Sequence, residues 1–586
     1  MQRSHPPATP ARRPSPAALL LSILLGLGIG AAAAQAESSP GPAPQRADAP
    51  ADPMAHPLVR QIIELFRQQT GRKPDSEAIV GALNEITVGL LKDGKYSKAE
   101  SLTRAALALA EAKLRKDHPH TLASLNNLAM LYKAQGRYEE AEPLLERGLA
   151  ARERVLGKDH PDTLTSLNNL ALLYESQGRY EGAEPLLERA LATRERVLGE
   201  DHTDTLQSLN NLAVLYQAQG RHKEAEPLLE RALATQERVL GEEHPDTLLS
   251  LNNLAGLYYA QGHYEEAEPL FKRALAAFER VLGKEHPHTL QSLHNLGSLY
   301  QAQGRYEEAE PLLERALATR ERVLGEDHTD TLQSLNNLAV LYQAQGRHKE
   351  AEPLLERALA TQERVLGEEH PDTLLSLNNL AGLYYAQGHY EEAEPLFKRA
   401  LAAFERVLGK EHPHTLQSLH NLGSLYQAQG RYEEAEPLLE RALATRERVL
   451  GEDHTDTLQS LNNLAVLYQA QGRHKEAEPL LERALATQER VLGKEHPSTL
   501  QSLNNLGSLY QNQGRYEEAE PLLKRALAAC ERVLGEDHPN TRKTRDNLAA
   551  LRGARGDTET GEPLWQQRVR AAIEGVFKKE SPEDLE

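Results

Sequence analysis

Apolar residues recur along most of the chain at helical spacing, in two stripes separated by a glycine. Within residues 160–201 the first stripe comprises Leu164, Leu167, Leu170, Ala171 and Tyr174, and Gly178 follows it. The second stripe comprises Ala183, Leu186, Leu187, Ala190, Leu191, Val197 and Leu198, and ends at Gly199. Spacings of three and four residues predict two amphipathic helices, and a glycine after each stripe is typical of a helix C-terminus.

This pattern recurs with a period of 42 residues, in ten in-phase repeats over residues 118–537. One helix pair is too small to bury its own apolar stripes, so neighbouring pairs must stack. The fold class predicted is therefore all-α, a solenoid of antiparallel helix pairs. Residues 56–75 predict a leading helix, 76–117 and 538–579 are degenerate terminal repeats, and 580–586 form an acidic tail.

The first 36 residues differ from the rest in composition. Arg3, Arg12 and Arg13 precede an apolar run over residues 17–34, and residues 34–36 read Ala-Gln-Ala. This order is typical of a cleaved signal peptide, followed here by a Pro- and Ala-rich linker over residues 37–55 that we expect to be disordered. We expect a periplasmic or secreted protein without membrane insertion after cleavage. The alternative is anchoring by an uncleaved N-terminal segment.

Charge and cysteine content narrow the function classes. The net charge is −19 and the repeats contain no cluster of Lys or Arg, which argues against nucleic acid as a partner. Cys530 is the single cysteine, so a disulfide framework and a cysteine-based zinc site are ruled out. Residues 37–75 and 552–586 contain no catalytic motif. We expect no enzyme activity, no catalytic residue and no cofactor.

Residues Leu167, Ala171, Tyr174, Gly178, Ala183 and Ala190 fall at the spacings of the tetratricopeptide repeat. In its 42-residue form the sequence resembles the repeats of kinesin light chains and their bacterial relatives, here with an export signal. The resemblance implies a right-handed superhelix whose first helices line a concave, peptide-binding groove. The heptad region by which kinesin light chains bind their heavy chains is absent, so motor attachment is not implied.

An asparagine recurs in the first helix of all ten central repeats. Its position resembles the one at which repeats of this family hold the backbone of a bound peptide, since an amide offers both a donor and an acceptor. The alternative is that it bonds a neighbouring helix and orders the stack. The predicted peptide-binding positions are Asn127, Asn169, Asn211, Asn253, Asn295, Asn337, Asn379, Asn421, Asn463 and Asn505.

Tyr259 and Tyr385 stand where other repeats have Gln, close to Gly256 and Gly382. Two interpretations stay open: each Tyr walls a shallow pocket that anchors a peptide, or each fills the space left by the small Gly. Both are predicted peptide-binding residues at this stage.

Eleven histidines share the first position of a repeat, which suggests a metal site only at first sight. Equivalent positions in stacked repeats should lie about 10 Å apart, whereas zinc ligands lie within about 2.1 Å of one ion. We therefore predict helix capping or loop packing, with no metal, and a pH response stays open. Cys530 occupies a position that is Arg194, Gln236 or Phe278 elsewhere, a variation that predicts an exposed or permissive site.

Residues 183–367 recur without change as residues 309–493, three repeats later. A chain that tolerates such a duplication does not depend on one uniquely placed catalytic group. We expect a non-enzymatic scaffold, most simply a monomer, that binds peptides or partner proteins of unknown identity along the groove. The alternatives are a structural spacer and an accessory subunit of an envelope enzyme complex.

Overall fold

The computed structural model describes residues 53–555, which contain a short 3₁₀ turn at Pro53–Ala55, 24 α-helices and no strand. A leading helix covers Pro57–Thr70. The first helices of successive repeats are Ser76–Lys92, Pro119–Ala134, Pro161–Ser176, Thr203–Ala218, Pro245–Ala260, Pro287–Ala302, Thr329–Ala344, Pro371–Gln387, Pro413–Ala428, Thr455–Ala470, Pro497–Asn512 and Pro539–Arg555. The second helices are Tyr96–Lys113, Tyr138–Leu156, Tyr180–Leu198, His222–Val239, Tyr264–Val281, Tyr306–Leu324, His348–Val365, Tyr390–Val407, Tyr432–Val449, His474–Val491 and Tyr516–Val533.

Local chemistry fixes the ends of each helix pair. In the repeat that begins at His118, the histidine is the N-cap and Pro119 takes the first helical position, where its missing N–H costs nothing. Gly136 then turns the chain with φ of +68°, a left-handed conformation that glycine adopts without steric cost. Within each repeat the two helices are therefore joined by a tight turn, which makes them antiparallel neighbours.

The described residues form two compact units. The first comprises residues up to Leu212 together with Leu324–Leu332 and Leu359–Leu374. Its core begins at the leading helix, where Val59, Ile62 and Phe66 are buried against the helices of the 76–117 repeat. Fully burying a side chain of this size stabilises by about 1.5–3 kcal/mol. The leading helix thus covers apolar surface that a terminal repeat would otherwise expose.

The second compact unit comprises Ala213–Val323, Gln333–Ala358 and the residues from Leu375 onward. Its core repeats along the sequence: Leu290 and Leu293 of a first helix pack with Ala316 of a second helix. The same three positions, 126 residues later, are Leu416, Leu419 and Ala442. Because the residues are the same in both places, the duplicated block builds the same core twice.

Ion pairs between neighbouring second helices join consecutive repeats. In the first compact unit, Arg137 donates to Glu100 of the preceding repeat at 2.8 Å and to Glu140 of its own helix at 2.7 Å. Its guanidinium also lies 4.1 Å from the centroid of the Tyr132 ring. In the second unit Arg473 makes the same contacts with Glu436, Glu476 and Tyr468. The charged second helices thus combine solvation with links between repeats.

The domain boundaries stay predictions, and the described helices can be placed within them. The leading helix expected in 56–75 covers Pro57–Thr70, and both terminal repeats expected at 76–117 and 538–579 begin with helices at Ser76 and Pro539. The signal peptide, the linker up to residue 52, the remainder of the last repeat from residue 556 and the acidic tail lie outside the described residues. Within residues 53–555, no helix combines the length and apolar character that crossing a membrane requires.

Candidate functional site

In the second compact unit, first helices of neighbouring repeats line an open cavity of about 540 Å³. No Asp, Glu, Lys or Arg lines it, and burial lowers the pKa of both lining histidines, His222 and His454, so both rings are neutral at neutral pH. The cavity is therefore uncharged, with apolar and polar residues in its lining. Its lining residues are Val214, Gln217, Ala218, Gly220, His222, Asn252, Asn253, Gly256, Ala260, Asn295, His454 and Thr455.

Gly256 opens the floor of this cavity. A Cβ atom built on Gly256 would meet no atom of the described residues within 4 Å, and the same holds at Gly382. The equivalent position in the preceding repeat is Val214, so the helix backbone itself accepts a branched side chain here. The glycine is therefore not required by close packing, and it leaves open space beside the helix.

Two buried polar atoms of the cavity residues have no hydrogen-bond partner among the described residues. They are Oδ1 of Asn252, an acceptor, and Nδ1 of His222, a donor or acceptor according to the tautomer. Nδ2 of Asn252 is already used, since it donates to Ser292 at 2.7 Å. Burying an unpaired polar group is costly, so a ligand that forms a hydrogen bond with either atom would remove that cost.

Asn252 was not among the predicted site residues, because its position holds His294 and His420 in two other repeats and so looked less restricted. The structure gives these histidines the acceptor role that Asn168 has towards Asn211 in another repeat. Nδ1 of His294 lies 3.0 Å from Nδ2 of Asn337, and His420 stands at 3.0 Å from Asn463. Burial lowers the pKa of both histidines to about 4, so each ring stays neutral and can accept. The sequence signal for this position was the exchange of Asn for His, because both side chains can accept a hydrogen bond.

The predicted asparagine ladder lies on the first helices, partly buried, and mostly bonds the first helix of the preceding repeat. Asn253 and Asn295 line the cavity. Asn295 and Asn421 accept from Gln291 and Gln417, one turn earlier, at 2.9 Å. The other seven donate 43 residues back: Asn127 to the Asn84 carbonyl, Asn169 to Asn126, Asn211 to Asn168, Asn337 to His294, Asn379 to Asn336, Asn463 to His420 and Asn505 to Asn462. These bonds account for the stacking role; contact with a peptide stays a prediction.

The two predicted tyrosines pack within the helix pair. The Tyr259 ring lies 5.9 Å from that of Tyr264, and the Tyr385 ring lies 5.8 Å from that of Tyr390. The interpretation that each Tyr fills the space left by Gly256 or Gly382 is wrong, because that space is open. Tyr259 is also not one of the residues that line the cavity. Its role as a peptide anchor stays a prediction.

The repeat-starting histidines cap helices, as predicted. In all eleven, Nδ1 accepts from the backbone N–H two residues on, at 3.1–3.2 Å. Some make a second contact that the sequence analysis missed. Nε2 of His454 lies 3.1 Å from the carbonyl oxygen of Ala218, which is 236 residues earlier. This contact places His454 and Thr455 in the lining of the cavity, although both are far from Asn252 in sequence.

The prediction of an exposed site at Cys530 is wrong, whereas its alternative, a permissive site, agrees with the different residue types found at this position. Its side chain is 2% exposed, and the equivalent Arg194, Gln236 and Phe278 are also buried. Two of these residues contact the next first helix: Arg194 donates to Ser208 at 2.6 Å, and the Phe278 ring lies 5.7 Å from that of His288. Burial raises the pKa of the Cys530 thiol, which makes it a poor nucleophile.

Comparison with known proteins identifies the class. A tetratricopeptide repeat profile matches residues 82–154, 121–196, 162–238, 204–280, 246–322, 288–364, 330–406, 384–448, 414–490 and 456–511, and a second one matches residues 499–540. The matched windows cover more than half of the chain, which therefore belongs to the tetratricopeptide repeat family. This family generally works by binding other proteins, and no catalytic role is implied by membership.

Two solved structures are similar in sequence to part of this chain. The chain is 40% identical to the crystal structure of a Podosopora anserina putative kinesin light chain with nearly identical TPR-like repeats, covering 35% of this chain and 98% of that one, with a TM-score of 0.30. It is 27% identical to BtubC (BKLC) from P. vanneervenii, covering 38% and 92%, with a TM-score of 0.33. The curated proteins include no match to this chain. In sequence, the repeats are similar to those of the putative kinesin light chain from Podosopora anserina.

Proposed function

We propose that this protein is an interaction scaffold that holds an extended, uncharged segment of a partner polypeptide in the cavity beside Gly256. The observation that carries the proposal is the pair of unpaired polar atoms there, Asn252 Oδ1 and His222 Nδ1. A peptide backbone offers an N–H and a C=O at every residue other than proline, and so matches an acceptor and a titratable ring nitrogen. Asn253 and Asn295 supply further amides along the same surface.

The chemistry of the lining selects the segment. Without Asp, Glu, Lys or Arg in the lining, a charged side chain entering the cavity would lose hydration and gain no ion pair. The open space at Gly256 suits a medium-sized apolar or polar side chain. A single copy supplies all these residues, so we propose that one chain binds one segment.

The cellular setting is also a proposal. The arginines, apolar run and Ala-Gln-Ala sequence at residues 1–36 support export, which would make the partner a periplasmic, secreted or envelope protein. Anchoring by an uncleaved N-terminal segment would place the same groove at a membrane surface. The alternatives of a structural spacer and of an accessory subunit of an envelope enzyme complex lack a specific observation of this kind.

The test is peptide selection followed by a matched pair of substitutions. Linear random peptides are selected on the purified chain, and their affinity is measured by fluorescence anisotropy. Gly256→Leu fills the open space and is expected to weaken binding at least tenfold, about 1.4 kcal/mol. Gly256→Ala adds one methyl group at a position where Val214 is already tolerated, and should change affinity less than about threefold. Equal affinities for both variants would place binding elsewhere.

A second variant tests the asparagine ladder. Replacing Asn253, Asn295 and Asn337 together by Ala removes three hydrogen bonds of about 0.5–1.5 kcal/mol each, which is on the order of a hundredfold in affinity at about 1 kcal/mol per bond. Outer-helix reversals at Glu230, Arg231 and Arg238 should matter far less, because exposed ion pairs contribute about 0–1 kcal/mol. An unchanged affinity of the triple variant at an unchanged melting temperature would refute the peptide role. A much lower melting temperature would assign the ladder to stacking.

A further inference from the structure

Histidine bridges join repeats that are far apart in sequence but close in space. Nε2 of the histidine contacts a backbone carbonyl at the end of the first helix six repeats earlier, always 236 residues back. In the first compact unit His328 lies 3.3 Å from Lys92 O and His370 lies 3.0 Å from Ala134 O. In the second unit His454 lies 3.1 Å from Ala218 O and His496 lies 3.3 Å from Ala260 O. Each bridge is contained within one unit.

The bridges belong to a fitted contact between a loop and a turn. Close to His370, Pro371 packs so tightly on Gly136 that a Cβ atom there would overlap the proline ring. At Gly262 the corresponding Cβ would stand 2.8 Å from Pro497 Cδ. The start of one first helix is therefore seated on the turn of a repeat six positions earlier. We call the surface formed by the repeat-starting histidines the histidine edge. We call the surface formed by the turns between first and second helices the turn edge.

Both edges are left uncovered over part of the chain. The side chains of His160, His202 and His244 are 41%, 42% and 40% exposed, whereas those of His328 and His370 are 9% and 6% exposed. The turn edge shows the converse. A Cβ atom on Gly388, Gly430, Gly472 or Gly514 would meet none of the described residues within 4 Å, and Ala344, Ala428 and Ala470 are exposed.

The open edges have the same sequence as the paired ones. Residues 183–241 recur at 309–367 and again at 435–493, so the loop at His202 equals that at His454. The turn after Ala470 likewise equals the turn after Ala218. An intermolecular contact between His202 of one copy and Ala470 of another could thus reproduce, residue for residue, the His454–Ala218 contact that exists within the chain.

We propose that the open histidine edge of one copy binds the open turn edge of a second copy, so that chains associate head to tail. The two surfaces are different patches of the same molecule, which makes the contact heterologous, so that copies form either a closed ring or an open filament. The proposal departs from the monomer expected above, and the surface consists of loops and turns between helices in unaltered repeats, not of the terminal repeats. The proposal does not depend on the cavity at Gly256.

The experiment is sedimentation velocity of the purified full chain over a range of concentrations at neutral pH. The mass should rise with concentration above the 65.0 kDa of one copy. The variant His160→Asn, His202→Asn, His244→Asn keeps an N-cap residue, since Asn is among the best, but its side chain is too short to make the bridge. We expect this variant to associate at least tenfold more weakly at an unchanged melting temperature.

The same change at bridged positions is the control. His370→Asn, His454→Asn, His496→Asn should lower the melting temperature and leave association as in the parent chain; if it fails to fold, the first variant still decides. A parent mass of 65.0 kDa at every concentration would overturn the proposal. So would association that the open-edge substitutions leave unchanged, which would point to another surface. Gly256→Leu should leave association intact, which separates this result from the proposed peptide binding.

Discussion

The bridge at His496 makes local stability depend on pH. Its Nδ1 accepts from the Ser498 N–H at 3.1 Å while Nε2 lies 3.3 Å from the Ala260 carbonyl oxygen. A ring that accepts at one nitrogen and donates at the other must be neutral, with its proton on Nε2. Burial lowers the pKa of His496 from 6.5 to about 4, with the nearby His222 and His263 acting in the same direction and the Ala260 carbonyl opposing.

The sign of the effect follows from proton binding. The unfolded chain takes up a proton on this histidine near its ordinary pKa of 6.5, whereas the folded chain takes it up only near 4. Stability is therefore fully present above about pH 6.5, falls as the pH drops, and stops falling near pH 4. At about 1.4 kcal/mol per pH unit, going from pH 7 to pH 5 should cost roughly 2 kcal/mol at this site.

The measurement is hydrogen exchange of the helix Pro497–Asn512, read by mass spectrometry at about pH 7 and pH 5 and corrected for intrinsic exchange rates. The comparison is His496→Asn, which retains a cap and cannot titrate. The parent should lose roughly 2 kcal/mol more protection than the variant between the two pH values. His294 and His420 titrate in both proteins and cancel. Equal losses in both would refute the account of the bridge.

Two further substitutions test the packing. Arg446 is 1% exposed, its Nε is buried without a partner, and Gln488 fills the equivalent site, so Arg446→Gln should change the unfolding free energy by less than about 1 kcal/mol. A loss of several kcal/mol in urea titration would show that the charge is required. Gly388→Ala should cost about 1–2 kcal/mol for its left-handed backbone, and Gly136→Ala clearly more, because its Cβ would overlap Pro371. Similar melting temperatures for the two variants would count against the turn contact.

The fold could be predicted from sequence because its determinants are local and repeated many times. One repeat, such as that at His160, already contains the cap, the proline, two apolar stripes and two glycines that define its helix pair. The capping role of the histidines followed from the same local reading. The asparagine ladder could be placed on the first helices for the same reason, although its bonds to the preceding repeat needed coordinates.

The remaining features depend on geometry that accumulates over several repeats. The offset of 236 residues between His454 and Ala218 is not a multiple of the 42-residue period, so no periodic reading of the chain points to it. That same contact places His454 among the residues that line the cavity with Asn252. Cys530 was misplaced because variation in residue type was taken for exposure, whereas the position is buried and two of the residues found there contact the next first helix.

The bridge between a histidine and the repeat six positions earlier has a consequence for how such a gene can grow. An ancestral chain of six repeats or fewer could form no bridge between its regular repeats, and its stability would rest on nearest neighbours alone. Every whole repeat gained after that adds a helix pair and also one histidine bridge to the repeat six positions earlier. Within the copied block at residues 309–493, the repeats from His370 onward lie beyond that threshold, so unequal recombination that lengthens the gene by whole repeats adds bridges there. Insertions of any other length would misalign the histidines after the insertion with the helix ends that they contact.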